Sequence, residues 1–235
     1  MSKDIENSFM VIGAKFTGND IPYCPTTAQI LPPQIISYAE AKTIYNQSLK
    51  RGDKNFKVDA FVHFYIDDEK FDGKNGIWFN PQKALNILGH FKGIITPDFS
   101  TYADFPEPIK IWNTYRMRAF GYWYGRLLGK SVINNVRWGS SETYRYCFDG
   151  IEENSIVAVG TVASGLRKLN NREFFSTGFF KMIDVLKPNT IVIYGSNNYE
   201  CFEKLRGKIK IVHFRSQMDI AFSAKKLVPQ GENHV

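Results

Sequence analysis

The chain has 235 residues, 43% apolar and 23% charged, which suits one large globular domain and excludes a disordered or collagen-like chain. No apolar run reaches the roughly 18 residues of a membrane span, and the amino terminus lacks the charged-then-apolar form of a secretory signal. Three scattered cysteines (Cys24, Cys147, Cys201) with no C-x-x-C pair argue against a thiolate zinc site, so the expectation is a reduced protein in the cytoplasm, with no membrane partner.

The net charge of +7 is uneven. Residues 101–150 contribute +3 from seven basic and four acidic groups, residues 201–235 contribute +4 from seven and three, and the remainder balances. Such segments suggest an anionic partner, with nucleic acid or a nucleotide first; the bland alternative is a solvated basic surface.

In chain order, residues 1–36 read as an irregular arm broken by Pro22, Pro25, Pro32 and Pro33. Ser37 to Lys50 reads as a helix with a capping box from Ser37 to Glu40 and an apolar stripe through Tyr38, Ala41, Ile44, Tyr45 and Leu49. Strand and helix patterns then alternate. Strands are expected at Asp59–Asp67, Gly93–Pro97, Val132–Trp138, Ser155–Thr161, Thr190–Tyr194 and Ile209–Phe214. Helices are expected at Asn80–Phe91, Pro106–Leu128, Ser141–Phe148, Asn170–Leu186 and Tyr199–Leu205. About six apolar strands separated by helices imply a single α/β domain over 37–215 with a mainly parallel sheet, either doubly wound or a short, irregular barrel. Residues 216–235 carry a helical pattern (Met218, Ile220, Ala221, Phe222, Leu227) and a tail.

In a parallel sheet the carboxyl ends of the strands form the ligand-binding rim. That rim would collect Asp67, Asp68, Asp98, Arg137, Trp138, Thr161, Ser164, Gly195, Ser196, His213 and Arg215. Asp98 and Asp67 are the candidates for holding a divalent metal such as Mg, or for acid–base work, while turn and cap formation is the ordinary role of such residues. Neighbouring strand side chains alternate, so only one of Asp67 and Asp68 should face the site. Arg137 could clamp a phosphate or carboxylate, or pair with Asp98, Glu142 or Asp149. Arg116, Asn113, Trp138, Tyr102 and Ser164 complete the candidate substrate contacts; Asn113 and Arg116 share one face of the long helix. That helix also carries an aromatic stripe (Trp112, Tyr115, Tyr122, Trp123) that reads as core before it reads as a stacking surface. The loop from Gly160 to Lys168 is glycine-, hydroxyl- and base-rich, but matches neither common phosphate-loop motif. His63 is expected to face the core, and His213 is the one histidine near the rim.

I-T-P-D-F-S at 95–100, I-W-N-x-Y-R-x-R at 111–118, V-R-W-G-S at 136–140, Y-x-x-C-F-D-G-I at 144–151 and V-A-V-G-T at 157–161 together resemble the family known as domain of unknown function 4417. The likeness covers roughly residues 59 to 196. It implies a phage or mobile-element protein working inside a bacterial cell. It implies no reaction, and groups Asp98, Asn113, Arg116, Arg137, Trp138 and Asp149 into one site or one structural network.

Three functions compete. The first is a metal-dependent enzyme acting on nucleic acid or a nucleotide. The second is a non-enzymatic protein binding nucleic acid or a host protein through its basic surface. The third is a two-carboxylate hydrolase acting on a neutral substrate such as a glycan.

Overall fold

The computed structural model describes residues 4 and 6–220, apart from 163, 165 and 167. Seven strands, β1 (Ile35–Ser37), β2 (Val58–His63), β3 (Phe91–Ile95), β4 (Ser131–Asn135), β5 (Ile156–Gly160), β6 (Thr190–Tyr194) and β7 (Lys210–Phe214), form one sheet. Every neighbouring pair is parallel, and the spatial order is the chain order. Helices α1 (Tyr38–Lys50), α2 (Pro81–Leu88), α3 (Glu107–Leu128), α4 (Leu169–Leu186) and α5 (Glu200–Glu203) lie in the connections.

Strand order that never reverses has no switch point, which rules out the doubly wound alternative and leaves the barrel-like one. Side-chain contacts show how far the sheet curls. Neighbouring strands lie about 4.8 Å apart, so a flat sheet would separate β2 from β6 by roughly 19 Å. Yet the rings of His63 and Tyr194, at the ends of those strands, have centroids 4.0 Å apart. Tyr65, just past β2, stacks on Tyr194 at 5.5 Å. The seven strands therefore form a half-barrel.

Alternation along each strand divides the core. On β5, Val157 and Val159 pack outward with Phe175, Phe179 and Met182 of α4, whereas Ile156 and Ala158 point inward with Phe61, Ile95, Ile133 and Val192. Ala28 and Leu31 join this inner cluster, so the proline-rich arm covers the inner face. Its backbone is tied down as well: Cys24 N–H donates to the Gly150 carbonyl (2.8 Å) and Thr27 N–H to that of Val132 (3.1 Å).

The capping box at α1 forms as expected, with Glu40 N–H donating to Ser37 Oγ (3.2 Å) and Ser37 N–H to the Glu40 carboxylate (2.8 Å). The same Glu40 accepts from Gln217 Nε2 at 2.6 Å, which links the start of α1 to the chain beyond β7 across the open seam. The strand absent from the sequence reading is β1, three residues at the end of the arm. The helix expected at Ser141–Phe148 is instead a short 3-10 turn over Ser141–Arg145, and the remaining helices and strands fall within a few residues of expectation. Residues 221–235, including Ala221, Phe222 and Leu227 of the terminal helical pattern, lie outside the described residues.

Arg118 on α3 is fully buried and forms no ion pair among the described residues. Its guanidinium donates to the carbonyls of Asp149 (3.0 Å), Asn135 (3.1 Å) and Cys147 (3.3 Å), fastening α3 to the end of β4 and to the segment after it. Burial pushes its pKa down to about 10.

Candidate functional site at the half-barrel mouth

The exits of β2, β3 and β4 converge on one polar chain. Tyr65 OH donates to Asn135 Oδ1 at 3.0 Å, and Asn135 Nδ2 donates to Asp98 Oδ1 at 2.8 Å. The other Asp98 oxygen accepts from Arg137 Nη1 at 2.6 Å. Thr96 Oγ1, accepting from Asn135 N–H at 2.8 Å, fixes the backbone beneath. Because the Asp98 carboxylate only accepts, the Asn135 NH2 end must face it, which leaves Asn135 Oδ1 for the Tyr65 hydroxyl. Its ring needs room, and Gly160 supplies it: a Cβ there would lie 2.5 Å from the Tyr65 ring.

Two cavities flank the Asp98–Arg137 pair. The larger, about 310 Å³, lies between the ends of β4 and β5, residues 101–103 and the first turns of α4. Trp138, Phe174, Phe175 and Tyr102 give it aromatic walls, and Arg137 enters from the Asp98 side. Asp98 takes one nitrogen of that guanidinium; Nε and Nη2 donate to no group among the described residues. Thr101, 6% exposed, lines the same cleft, and its buried Oγ1 has no hydrogen-bond partner. Such a buried orphan costs about 1–3 kcal/mol until a ligand or water satisfies it. The smaller cavity, about 80 Å³, is lined by Tyr65, Asp67, Asp68, Ser100 and Ile66 together with Asp98, Tyr102, Arg137 and Val162, the last four shared with the cleft.

The candidate residues take different places around these cavities. Asp98, Arg137, Trp138, Tyr102 and Ser164 all line the cleft, with Ser164 Oγ donating to the Thr161 carbonyl at 2.7 Å. Asp67 is exposed and paired with Lys70 at 2.9 Å, while Asp68, opening a 3-10 turn, is the more buried of the two. Burial raises the Asp68 pKa; a hydrogen bond from Ser100 opposes this, the Asp98 charge adds to it and Arg137 opposes it. Arg116 and Asn113 form a bracket behind the site. Arg116 donates twice to Asp72 (3.0 Å each) and to Asn113 Oδ1 (3.2 and 2.6 Å), and lies 3.8 Å over the Phe99 ring. Asn113 Nδ2 in turn holds the Ser100 carbonyl. Asp149 accepts from Thr17 and Asn19 of the arm at 2.9 and 2.8 Å. His213 bonds the Gly195 carbonyl, and His63 is buried with its pKa pushed down to about 3 by desolvation. Among the described residues, no three His, Cys, Asp or Glu side chains come together as a metal-binding group.

Sequence reasoning missed Tyr65, Asn135, Thr101, Phe174 and Phe175. Asn135 carried a signal: two adjacent asparagines inside the apolar run Val132–Val136 demand buried partners. Phe174 and Phe175 carried none, since paired phenylalanines on a helix read as core.

Each basic group of residues 101–150 has a partner within the chain. Arg116, Arg137 and Arg145 pair with Asp72, Asp98 and Glu107. Lys110, Arg118, Arg126 and Lys130 donate to backbone carbonyls of Ala103, Asp149, Ile12 and Phe91, respectively.

A family model described as domain of unknown function (DUF4417) matches residues 19–215. The chain belongs to this family. The chain is also similar to the Gene 1 protein of Mycobacterium phage L5, 33% identical over 140 residues, which are 59% of this chain and 58% of that protein. The Gene 1 protein of Mycobacterium phage D29 is 31% identical over 139 residues, 59% of this chain and 49% of the relative. The DUF4417 chain thus spans about half the length of the curated relatives it matches. Both are phage proteins, in keeping with the phage origin that the motifs imply. No solved structure matches. No helix among the described residues is long and apolar enough to cross a membrane.

Proposed function

We propose that the half-barrel mouth binds a nucleotide, free or at the end of a strand. The observation that carries this reading is Arg137, held by Asp98 on one nitrogen and presenting unpartnered donors to an aromatic-walled cleft. A phosphate takes paired guanidinium donors, and a base stacks on Trp138, Phe174 or Phe175. The cleft volume of about 310 Å³ sits at the small end of ligand pockets. The internal use of the basic groups of residues 101–150 favours a compact nucleotide over a long duplex tracked by its phosphates.

A divalent ion such as Mg, shared by Asp98 and Asp67, would have to displace Arg137 and Asn135 from one carboxylate and Lys70 from the other. Nucleotide binding in this reading therefore relies on Arg137 and does not depend on a metal. Calorimetric titration with mono-, di- and triphosphate nucleotides, with and without a chelator, tests it. Losing a charged hydrogen-bond pair costs about 1.5–3 kcal/mol, so Arg137→Gln should weaken binding by roughly 10- to 100-fold. Equal affinity in Arg137→Gln, or affinity abolished by the chelator, would reject this assignment.

A further inference from the structure

We infer, resting on the nucleotide reading of the cleft, that Asn171 and Phe174 of α4 are its base-reading pair and that the base they take is adenine. Both residues line the cleft, on the wall made by the first turns of α4. Three apart on a helix, they are neighbours on one face, with Cβ atoms about 5–6 Å from each other. Phe175 and Gly178 continue that face and hold Trp138 against the helix.

The fold engages neither side chain. The Phe174 ring is 45% exposed and meets no other aromatic ring among the described residues, whereas Phe175 is buried against Trp138, Phe179 and Phe202. The backbone N–H of Asn171 donates to the Lys168 carbonyl at 3.1 Å, but its side-chain amide has no hydrogen-bond partner among the described residues. The other asparagine of the cleft, Asn135, is already committed to Tyr65 and Asp98. A half-exposed ring with a free amide one turn away makes a stacking platform with a polar edge. A base lying on Phe174 offers its rim to Asn171, while Arg137, just past β4, takes the phosphate.

The chemistry of the amide selects the base. It presents one donor beside one acceptor, so it matches a rim that presents an acceptor beside a donor. Adenine does so on both of its polar edges, pairing N6–H with N7 on one and N6–H with N1 on the other. Guanine matches on one edge alone, because its N7 and O6 both accept.

Calorimetric titration of the full chain with adenosine monophosphate, guanosine monophosphate and the base-free probe ribose 5-phosphate tests the assignment. Bidentate amide contacts discriminate bases by about 5- to 150-fold, so adenosine monophosphate should bind at least about fivefold more tightly than guanosine monophosphate. Ribose 5-phosphate should bind more weakly than either. Asn171→Asp turns the donor into a second acceptor, which suits the adjacent N1–H and N2–H donors of guanine. The adenosine-to-guanosine affinity ratio should therefore fall at least about fivefold, and taking a ratio cancels repulsion between the new charge and the phosphate. Loss of a stacked base costs about 5- to 150-fold, so Phe174→Ala should weaken adenosine monophosphate by that factor and ribose 5-phosphate by less than about twofold. Equal affinity for the two nucleotides, ribose 5-phosphate bound as tightly as adenosine monophosphate, or an unchanged ratio in Asn171→Asp would each overturn the inference while leaving Arg137 its phosphate. Absence of binding of all three by the wild-type chain would overturn the nucleotide reading as well.

Discussion

Gly178 on α4 gives a sharp test of how the cleft wall is packed. In an open helix, Gly→Ala stabilises by about 1 kcal/mol, because glycine gives up the most backbone freedom on folding. Here a Cβ would fall 2.2 Å from Cδ1 and 2.3 Å from Nε1 of Trp138, a rigid ring with nowhere to bend. That ring is also hemmed in by Phe175 at 5.0 Å and Phe179 at 6.3 Å. Overpacking of this kind costs about 1–3 kcal/mol, so steric strain should outweigh helix propensity. Gly178→Ala is expected to lose about 1 kcal/mol net, or roughly 2–4 °C in Tm for a chain of this size. Urea unfolding and near-ultraviolet circular dichroism of Trp138 measure the loss and the ring's displacement. Placing the alanine in a Trp138→Leu background removes the clash, and there it should turn stabilising. The two substitutions are in contact, so their effects should be strongly non-additive. A Gly178→Ala protein more stable than wild type would refute the packing argument.

Four other outcomes are expected. His63 is neutral in the folded state, with a pKa of about 3 against an ordinary 6.5, so the unfolded chain binds a proton the native chain refuses. Its contribution is full above pH 6.5 and is lost as pH falls, by about 2 kcal/mol at pH 5, and His63→Gln should flatten the urea-derived stability curve between pH 6.5 and 4. Arg118→Met strips two buried carbonyls and one partly buried carbonyl of their donor; a loss of about 3 kcal/mol or more is expected by urea titration, and less than about 1 kcal/mol would contradict the bracing role. Tyr65→Phe keeps the ring but frees the Asn135 amide, costing about 0.5–1.5 kcal/mol in stability, and nucleotide affinity measured by calorimetry should fall several-fold. Asp72→Asn leaves the nearly buried Arg116 without its carboxylate, and chemical unfolding should show a loss of about 1–3 kcal/mol.

The alternating apolar segments announced a parallel α/β sheet because buried strands and amphipathic helices differ in period, and Ser37–Glu40 marked the start of α1 to the residue. Curvature was not legible: it depends on ring contacts such as His63 with Tyr194, made between strands far apart in the chain. β1 escaped because three residues carry no periodicity. At the site, Asp98 and Arg137 stood out as polar groups ending apolar runs, whereas strand alternation does not apply to Asp67 and Asp68, which lie past the end of β2 at the start of a 3-10 turn and both line the small cavity. Arg116 and Asn113 could not be separated from substrate contacts, because Asp72 and Ser100, which engage them, come from distant loops. Net charge could not say where the basic groups go for the same reason, since a composition does not reveal that an arginine ends on a carbonyl.

A sheet whose strands follow chain order can be laid down one βα unit at a time, each docking on the unit just made. Early pairings then close short loops and form quickly. The contacts that bend the sheet cannot. Tyr194 reaches His63 and Tyr65 only after more than half the chain has been threaded between them, and Gln217 meets Glu40 later still. The mouth thus assembles late as the chain emerges, and a chain ending before β6 would hold Asp98 and Arg137 without the curl that aligns Tyr65 above them.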